Sequence, residues 1–131
     1  LSNIWLHPTV VSGTNIFLGC AESYYPSDSA RPPVLETWTL SDTGRFTRLG
    51  SMKLVGLPSD LRLFSGLLAA RVDGTRALVF DTADPAALRL VGDGPEVGCQ
   101  YFDLQAADAA VGQALWLPVG LYGTGFVQLN P

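Results

Sequence analysis

The chain repeats itself without a gap between residues 37–50 and residues 79–92, where TWTLSDTGRFTRLG lies over VFDTADPAALRLVG. Trp38 aligns with Phe80, so both copies carry an aromatic residue at this position. Further along each copy an aspartate meets an aspartate, and both copies end in glycine. Repeats of about this length are typical of stacked structural units, such as propeller blades or solenoid coils.

A second overlay extends the pattern, because residues 74–81 lie over residues 123–130 at an offset of 49. The sequence therefore predicts three copies of a strand-turn-strand unit within one β domain, residues 1–131. The overlaid turn and its return strand bring the count to four antiparallel strands per unit, so the sequence predicts a β-propeller segment of about three four-stranded blades. The predicted units span roughly 3–57, 58–98 and 99–131, and the Ala-rich stretch 105–111 is interpreted as a loop or a single turn.

The composition agrees with an all-β domain and argues against some classes of partner. Hydrophobic residues make up 47% of the chain and charged residues 15%, below the roughly 25% usual in soluble domains, so strands covered on both faces are expected. The 14 Gly and 9 Pro interrupt short apolar runs, as in β proteins. The net charge of −4, with cations scattered singly, argues against nucleic-acid partners. No apolar run is long enough to span a membrane, and the start at Leu1 suggests a processed or excised chain.

The segment 77–85, ALVFDTADP, followed by Leu-Val-Gly at 90–92, resembles the LVIVP repeat of bacterial and archaeal β-propellers. The match is partial in the first unit, where Asp42 is not followed by proline. The resemblance implies four-stranded blades and a secreted or surface-attached protein, and it brings no catalytic residues. Closed propellers have about four to eight blades, so about three units would need further copies or another chain to complete a ring. A small β-sandwich or barrel built from the same hairpins is the structural alternative.

The loop 22–33 is the candidate binding segment. It replaces a turn of about three residues in the second unit, and Tyr24, Tyr25 and Arg31 offer stacking and charge for a glycan, a peptide or a partner surface. The alternative is a tolerated insertion whose tyrosines pack locally. The three tryptophans are predicted to pack in the core, since they lie in strands: Trp5, Trp38 and Trp116.

No catalytic, metal or cofactor site is predicted. His7 is the single histidine and no Gly-x-Ser-x-Gly elbow is present. Asp81 and Asp84 lack the spacing of a calcium loop and are interpreted as turn residues. Cys20 and Cys99 could form a disulfide between the first and third units in an oxidising compartment, or remain two buried thiols.

These observations favour a non-enzymatic β-propeller scaffold or interaction module, outside a bacterial cell or on its surface. Two other functions remain open. One is a portion of a propeller-fold enzyme, such as a glycoside hydrolase or quinoprotein, whose catalytic groups lie mostly elsewhere. The other is a carbohydrate-binding β module that uses the 22–33 loop for stacking.

Overall fold

The computed structural model describes residues 5–22, 31–64, 66–74, 76–94, 114–118 and 124–130, of which 5–7, 114–118 and 124–126 are described by backbone alone. All regular structure in these residues is β, as the sequence predicts. The strands are β1 (Trp5–Ser12), β2 (Asn15–Ala21), β3 (Val34–Leu40), β4 (Phe46–Lys53), β5 (Pro58–Phe64), β6 (Leu67–Val72), β7 (Arg76–Asp81), β8 (Arg89–Asp93), β9 (Ala114–Pro118) and β10 (Thr124–Gln128).

The strands form two four-stranded antiparallel sheets and one two-stranded hairpin. The first sheet has the order β1-β2-β3-β4 and the second the order β5-β6-β7-β8, so each is a simple meander. The four strands predicted for each of the first two units are thereby confirmed. In the third unit the described residues form the β9–β10 hairpin, and residues 105–111 lie outside the described part of the chain.

The two four-stranded sheets carry a β-bulge at the same place in their register. A β-bulge interrupts the β3–β4 ladder, and a second bulge interrupts the β7–β8 ladder 42 residues later. The pairs that flank the bulges are Thr37 with Gly50 and Trp38 with Arg48 in the first sheet, and Val79 with Gly92 and Phe80 with Leu90 in the second. Because a bulge bends and twists its strand, the two sheets share a local distortion as well as a strand order.

The sheets and the hairpin stack in three layers. One hydrophobic cluster joins the first sheet, through Phe17 and Leu35, to the second sheet, through residues that include Leu68 and Phe80. A second cluster lies on the opposite face of the second sheet, where Val79 and its neighbours contact the β9–β10 hairpin. The second sheet is therefore covered on both faces, in agreement with the low content of charged residues.

The turns use the chemistry that the sequence predicts. The Asp84 carboxylate accepts a hydrogen bond of 3.0 Å from the backbone N–H of Ala86, next to Pro85. In the first sheet the equivalent turn is closed by Ser41, whose carbonyl accepts from the Gly44 N–H at 2.9 Å. Polar side chains and glycine thus reverse the chain at the same point in both units.

The connection 54–57 joins the two sheets and is hydrogen-bonded to both. The N–H of Leu54 donates to the Pro33 carbonyl at 2.8 Å, beside the start of β3. At the other end Leu57 exchanges two bonds with Asp73, in the turn between β6 and β7: the Leu57 N–H donates to the Asp73 carboxylate at 2.8 Å, and the Asp73 N–H donates to the Leu57 carbonyl at 2.9 Å. Asp73 has a φ of 50°, which aspartate tolerates better than most residues.

Candidate functional site

The faces that pack against each other are related by the repeat. On the inner face of the first sheet lie Phe17, Leu35 and Thr37, and all three are buried. Their counterparts in the second sheet, identified by register, are Ala69, Ala77 and Val79, which belong to the cluster beneath the β9–β10 hairpin. The first two units thus present the same face to the unit that follows them in the chain.

The opposite face of each sheet is related in the same way, but only one of the two is covered by a described element. In the second sheet this face carries Leu63, Leu68, Ala70, Leu78 and Phe80, which pack against the first sheet. Its counterpart in the first sheet, here called the outer face, comprises Val11, Ile16, Leu18, Glu36, Trp38 and Arg48. Neither hydrophobic cluster of the described residues includes a side chain from the outer face.

The outer face is partly apolar and partly open to solvent. Val11 is 62% exposed, although its counterpart Leu63 is packed against a core cluster. Ile16, Leu18 and Trp38 are half-buried. The prediction that Trp38 packs in the core is therefore wrong for the described residues: strand alternation places it on the face away from the second sheet.

The polar residues of the outer face satisfy one another. The Trp38 indole N–H donates to the Glu36 carboxylate at 2.8 Å, and the Arg48 guanidinium donates to the other oxygen of the same carboxylate at 3.2 Å. In the second sheet the same positions hold Leu78, Phe80 and Leu90. The first sheet therefore replaces an apolar triad by a charge-neutral and hydrogen-bonded one.

A cleft continues the outer face towards the loop that follows β2. Its volume is about 290 Å³, at the lower end of small-molecule sites. The loop side is framed by Glu22 and Arg31, which form an ion pair of 3.3 Å. The floor and far wall come from β2, β3 and β4, with Cys20, Val34, Glu36, Arg48, Ser51 and Lys53. The cleft thus contains three cationic and two acidic side chains, a lining that can bind polar or anionic groups.

Cys20 lies buried in the wall of this cleft, and no other described residue forms a disulfide with it. Burial, together with the nearby Glu36 carboxylate, raises the pKa of Cys20 from its ordinary value of 9.0 to about 11. Since the thiolate is the nucleophilic form, Cys20 is a poor nucleophile at neutral pH and behaves as a small core residue. Cys99 lies outside the described residues, so the disulfide between the two cysteines stays a prediction.

The residues predicted for binding are described only in part. Arg31 is largely exposed at the base of the loop, where it pairs with Glu22. Tyr24 and Tyr25 lie outside the described residues, and binding by this group stays a prediction. His7 lies in β1.

The candidate carboxylates of the second unit hold the turn together. The Asp81 carboxylate accepts from the Ala83 N–H at 2.9 Å and from the Arg89 guanidinium at 3.2 Å. These two bonds, the backbone bond first, lower the pKa of Asp81. Among the described residues no three His, Cys, Asp or Glu side chains lie close enough together to hold a metal ion. The same residues contain no helix that is long and apolar enough to span a bilayer.

Neither a protein-family model nor a curated protein matches the chain. The resemblance of 77–85 to the LVIVP repeat therefore stays a prediction.

Sequence reasoning found the loop but missed the cleft and the outer face beside it. The cleft needs Glu36, Arg48 and Lys53, which come together only through the pairing of β3 with β4. A signal for the outer face was present, because the overlay aligns Arg48 with Leu90 and the same offset of 42 residues places Glu36 on Leu78. At both positions the first unit is charged where the second is apolar.

Proposed function

We propose that the chain is a non-enzymatic β-propeller scaffold, part of a larger secreted or surface assembly in which further units complete the ring. The observation that supports this most directly is the packing of the second sheet, which turns one face towards the first sheet and the other face towards the β9–β10 hairpin. Such head-to-tail contacts do not pair a surface with itself. They continue until a ring closes or an open array forms.

The three layers favour this arrangement over a two-layer sandwich. In a two-layer sandwich each sheet buries one face against the other sheet and exposes its second face to solvent. Here the second sheet is covered on both faces, and strand order and bulge position recur between the first two units. Radial stacking of four-stranded meanders is the arrangement of propeller blades.

The experiment that tests the proposal is the solution mass of the chain, measured by light scattering over a wide concentration range, alone and with any companion chain. Small-angle scattering then gives the shape of the assembled particle. We expect an assembly of several units with the dimensions of a flat disc. A folded monomer of 14.0 kDa under all conditions would refute the scaffold and favour the sandwich.

A second function, ligand binding at the loop, is supported by the cleft. Its Glu22–Arg31 pair and the cationic Lys53 lie where the 23–30 segment leaves and rejoins the sheet. We propose that the loop and cleft together bind a glycan or a peptide. Replacing Tyr24 and Tyr25 by Ala should abolish binding on a glycan or peptide array and leave the unfolding temperature nearly unchanged. Unaltered binding would eliminate this site.

The carboxylates of the cleft do not favour the alternative of a glycoside hydrolase. Glycoside hydrolysis needs one carboxyl group that donates a proton and a second that acts as a base or nucleophile. The two carboxylates of the cleft, Glu22 and Glu36, are each engaged by an arginine.

A further inference from the structure

We propose that the outer face of the first sheet is a docking surface for a second copy of this chain, which places its β9–β10 hairpin there. This inference rests on the proposed function, because it names the partner and the surface that would continue the stack.

The first step identifies the kind of element that would pack on the outer face of the first sheet. In the second sheet the equivalent face, with Leu63, Leu68 and Phe80, is covered by the inner face of the preceding unit. The outer face of the first sheet has the same strand order and register. The surface that fits it is therefore the face that a unit of this kind turns towards the next unit, here called its following face. The occupant is thus a β-sheet unit.

The second step is where such a unit exists. The following face of the third unit carries Gln128, which is the counterpart of Val79 and is exposed. The β9–β10 hairpin packs on the face of the second sheet opposite the first sheet, so the two faces that no described element covers point away from each other. They can meet between two copies. Two copies of about three units make about six, within the range of closed propellers.

The third step is the chemistry of the surface. A docked sheet would desolvate Glu36 and Arg48, and burying an unpaired charge is costly. Both groups are already paired, and the Trp38 indole satisfies the second carboxylate oxygen. The two opposite charges of the outer face therefore neutralise each other, which lowers the cost of covering this face.

The test compares two exposed valines. Val11 is 62% exposed on the outer face, and Val55 is 69% exposed in the connection 54–57, away from that face. Neither substitution by glutamate removes a core side chain, and circular dichroism checks that both variants retain the fold. The wild-type chain should sediment as a dimer of twice 14.0 kDa at high concentration. Val11→Glu should raise the dissociation constant at least about tenfold, since docking would bury an unpaired carboxylate, whereas Val55→Glu should leave it unchanged.

The outcomes separate this inference from the proposed function. Assembly that Val11→Glu and Val55→Glu affect equally would overturn the outer face as the docking surface and leave the scaffold function standing. Assembly only with a different companion chain would overturn the second copy as the occupant. A monomer under all conditions, with or without a companion, would overturn the inference and the scaffold function together.

Discussion

Replacing Gly50 or Gly92 by alanine tests the repeated packing directly. The two glycines occupy equivalent positions beside the bulges, and neither has a positive φ, so alanine suits the backbone at both. A Cβ at Gly50 would overlap the backbone carbonyl oxygen of Ala86, in the second unit. A Cβ at Gly92 would lie 2.8 Å from Val127 Cγ1 and 3.0 Å from Leu129 Cδ2, in the third.

The expected magnitudes follow from two opposing effects. A tolerated Gly→Ala change stabilises by roughly 0.4–1 kcal/mol through the unfolded chain, whereas overpacking costs about 1–3 kcal/mol. At Gly50 the obstacle is backbone and cannot rotate away, so we expect a net loss of about 2 kcal/mol. At Gly92 side chains can adjust, and we expect about 1 kcal/mol. Near 4 °C per kcal/mol for a domain of this length, the unfolding temperature should fall by roughly 8 °C and 4 °C.

The assay is urea unfolding followed by tryptophan fluorescence, with Ser51→Ala as a control on the neighbouring exposed residue of β4. A double-mutant cycle adds the specific test. Val127→Ala opens space for the new methyl group, so Gly92→Ala with Val127→Ala should cost about 1 kcal/mol less than the sum of the single changes. Neutral or stabilising effects at both glycines, or strict additivity in the cycle, would refute the close contact between successive units.

Three further predictions concern single side chains. Since the pKa of Asp81 is lowered in the folded state, its stabilisation is present above the ordinary value of 3.8 and is lost as the pH falls through the folded pKa; Asp81→Asn should therefore flatten the acid limb of a stability profile measured by urea unfolding. Since the pKa of Cys20 is raised to about 11, its contribution is present below pH 9.0 and is lost between there and about pH 11; Cys20→Ala should remove that alkaline component, and an identical alkaline slope in both proteins would contradict the burial of the thiol. Asp73→Ala should lower the free energy of unfolding by about 1–2 kcal/mol, because it removes the carboxylate that accepts from Leu57 and puts alanine at a positive φ. Asp73→Asn keeps an oxygen acceptor and tolerates this φ, so its loss should be smaller, and equal losses for the two variants would contradict this explanation.

The all-β class and the four strands of each of the first two sheets were predictable, because the overlay aligns equivalent strands. The overlay of Trp38 on Phe80 aligns β3 with β7, and these strands occupy the same place in the order of the two sheets. The turn at Asp84–Pro85 was readable for a local reason: a side-chain oxygen and a fixed φ act within three residues. Long-range features left weaker signals. The bulges, for example, depend on how neighbouring strands pair, which no single strand encodes.

The candidate site was predictable only in part. The length of the 22–33 loop identified one edge of the cleft through Arg31. Its other wall depends on the cross-strand pair of Glu36 with Arg48, which lie 12 residues apart. Trp38 shows the limit most clearly: strand composition predicts burial, but which face of a sheet is covered depends on how many neighbours the sheet has.

The hydrogen bonds at the two ends of the connection 54–57 fix the angle between adjacent sheets. Leu54 is held at the edge of the first sheet and Leu57 is held by the Asp73 turn of the second, so neither sheet can rock without breaking a bond of less than 3 Å. The connection therefore restrains the angle between the two sheets at both of its ends. In the ring proposed above, this angle would set how many sheets complete the circle. Four residues between two strands would thus determine the number of subunits.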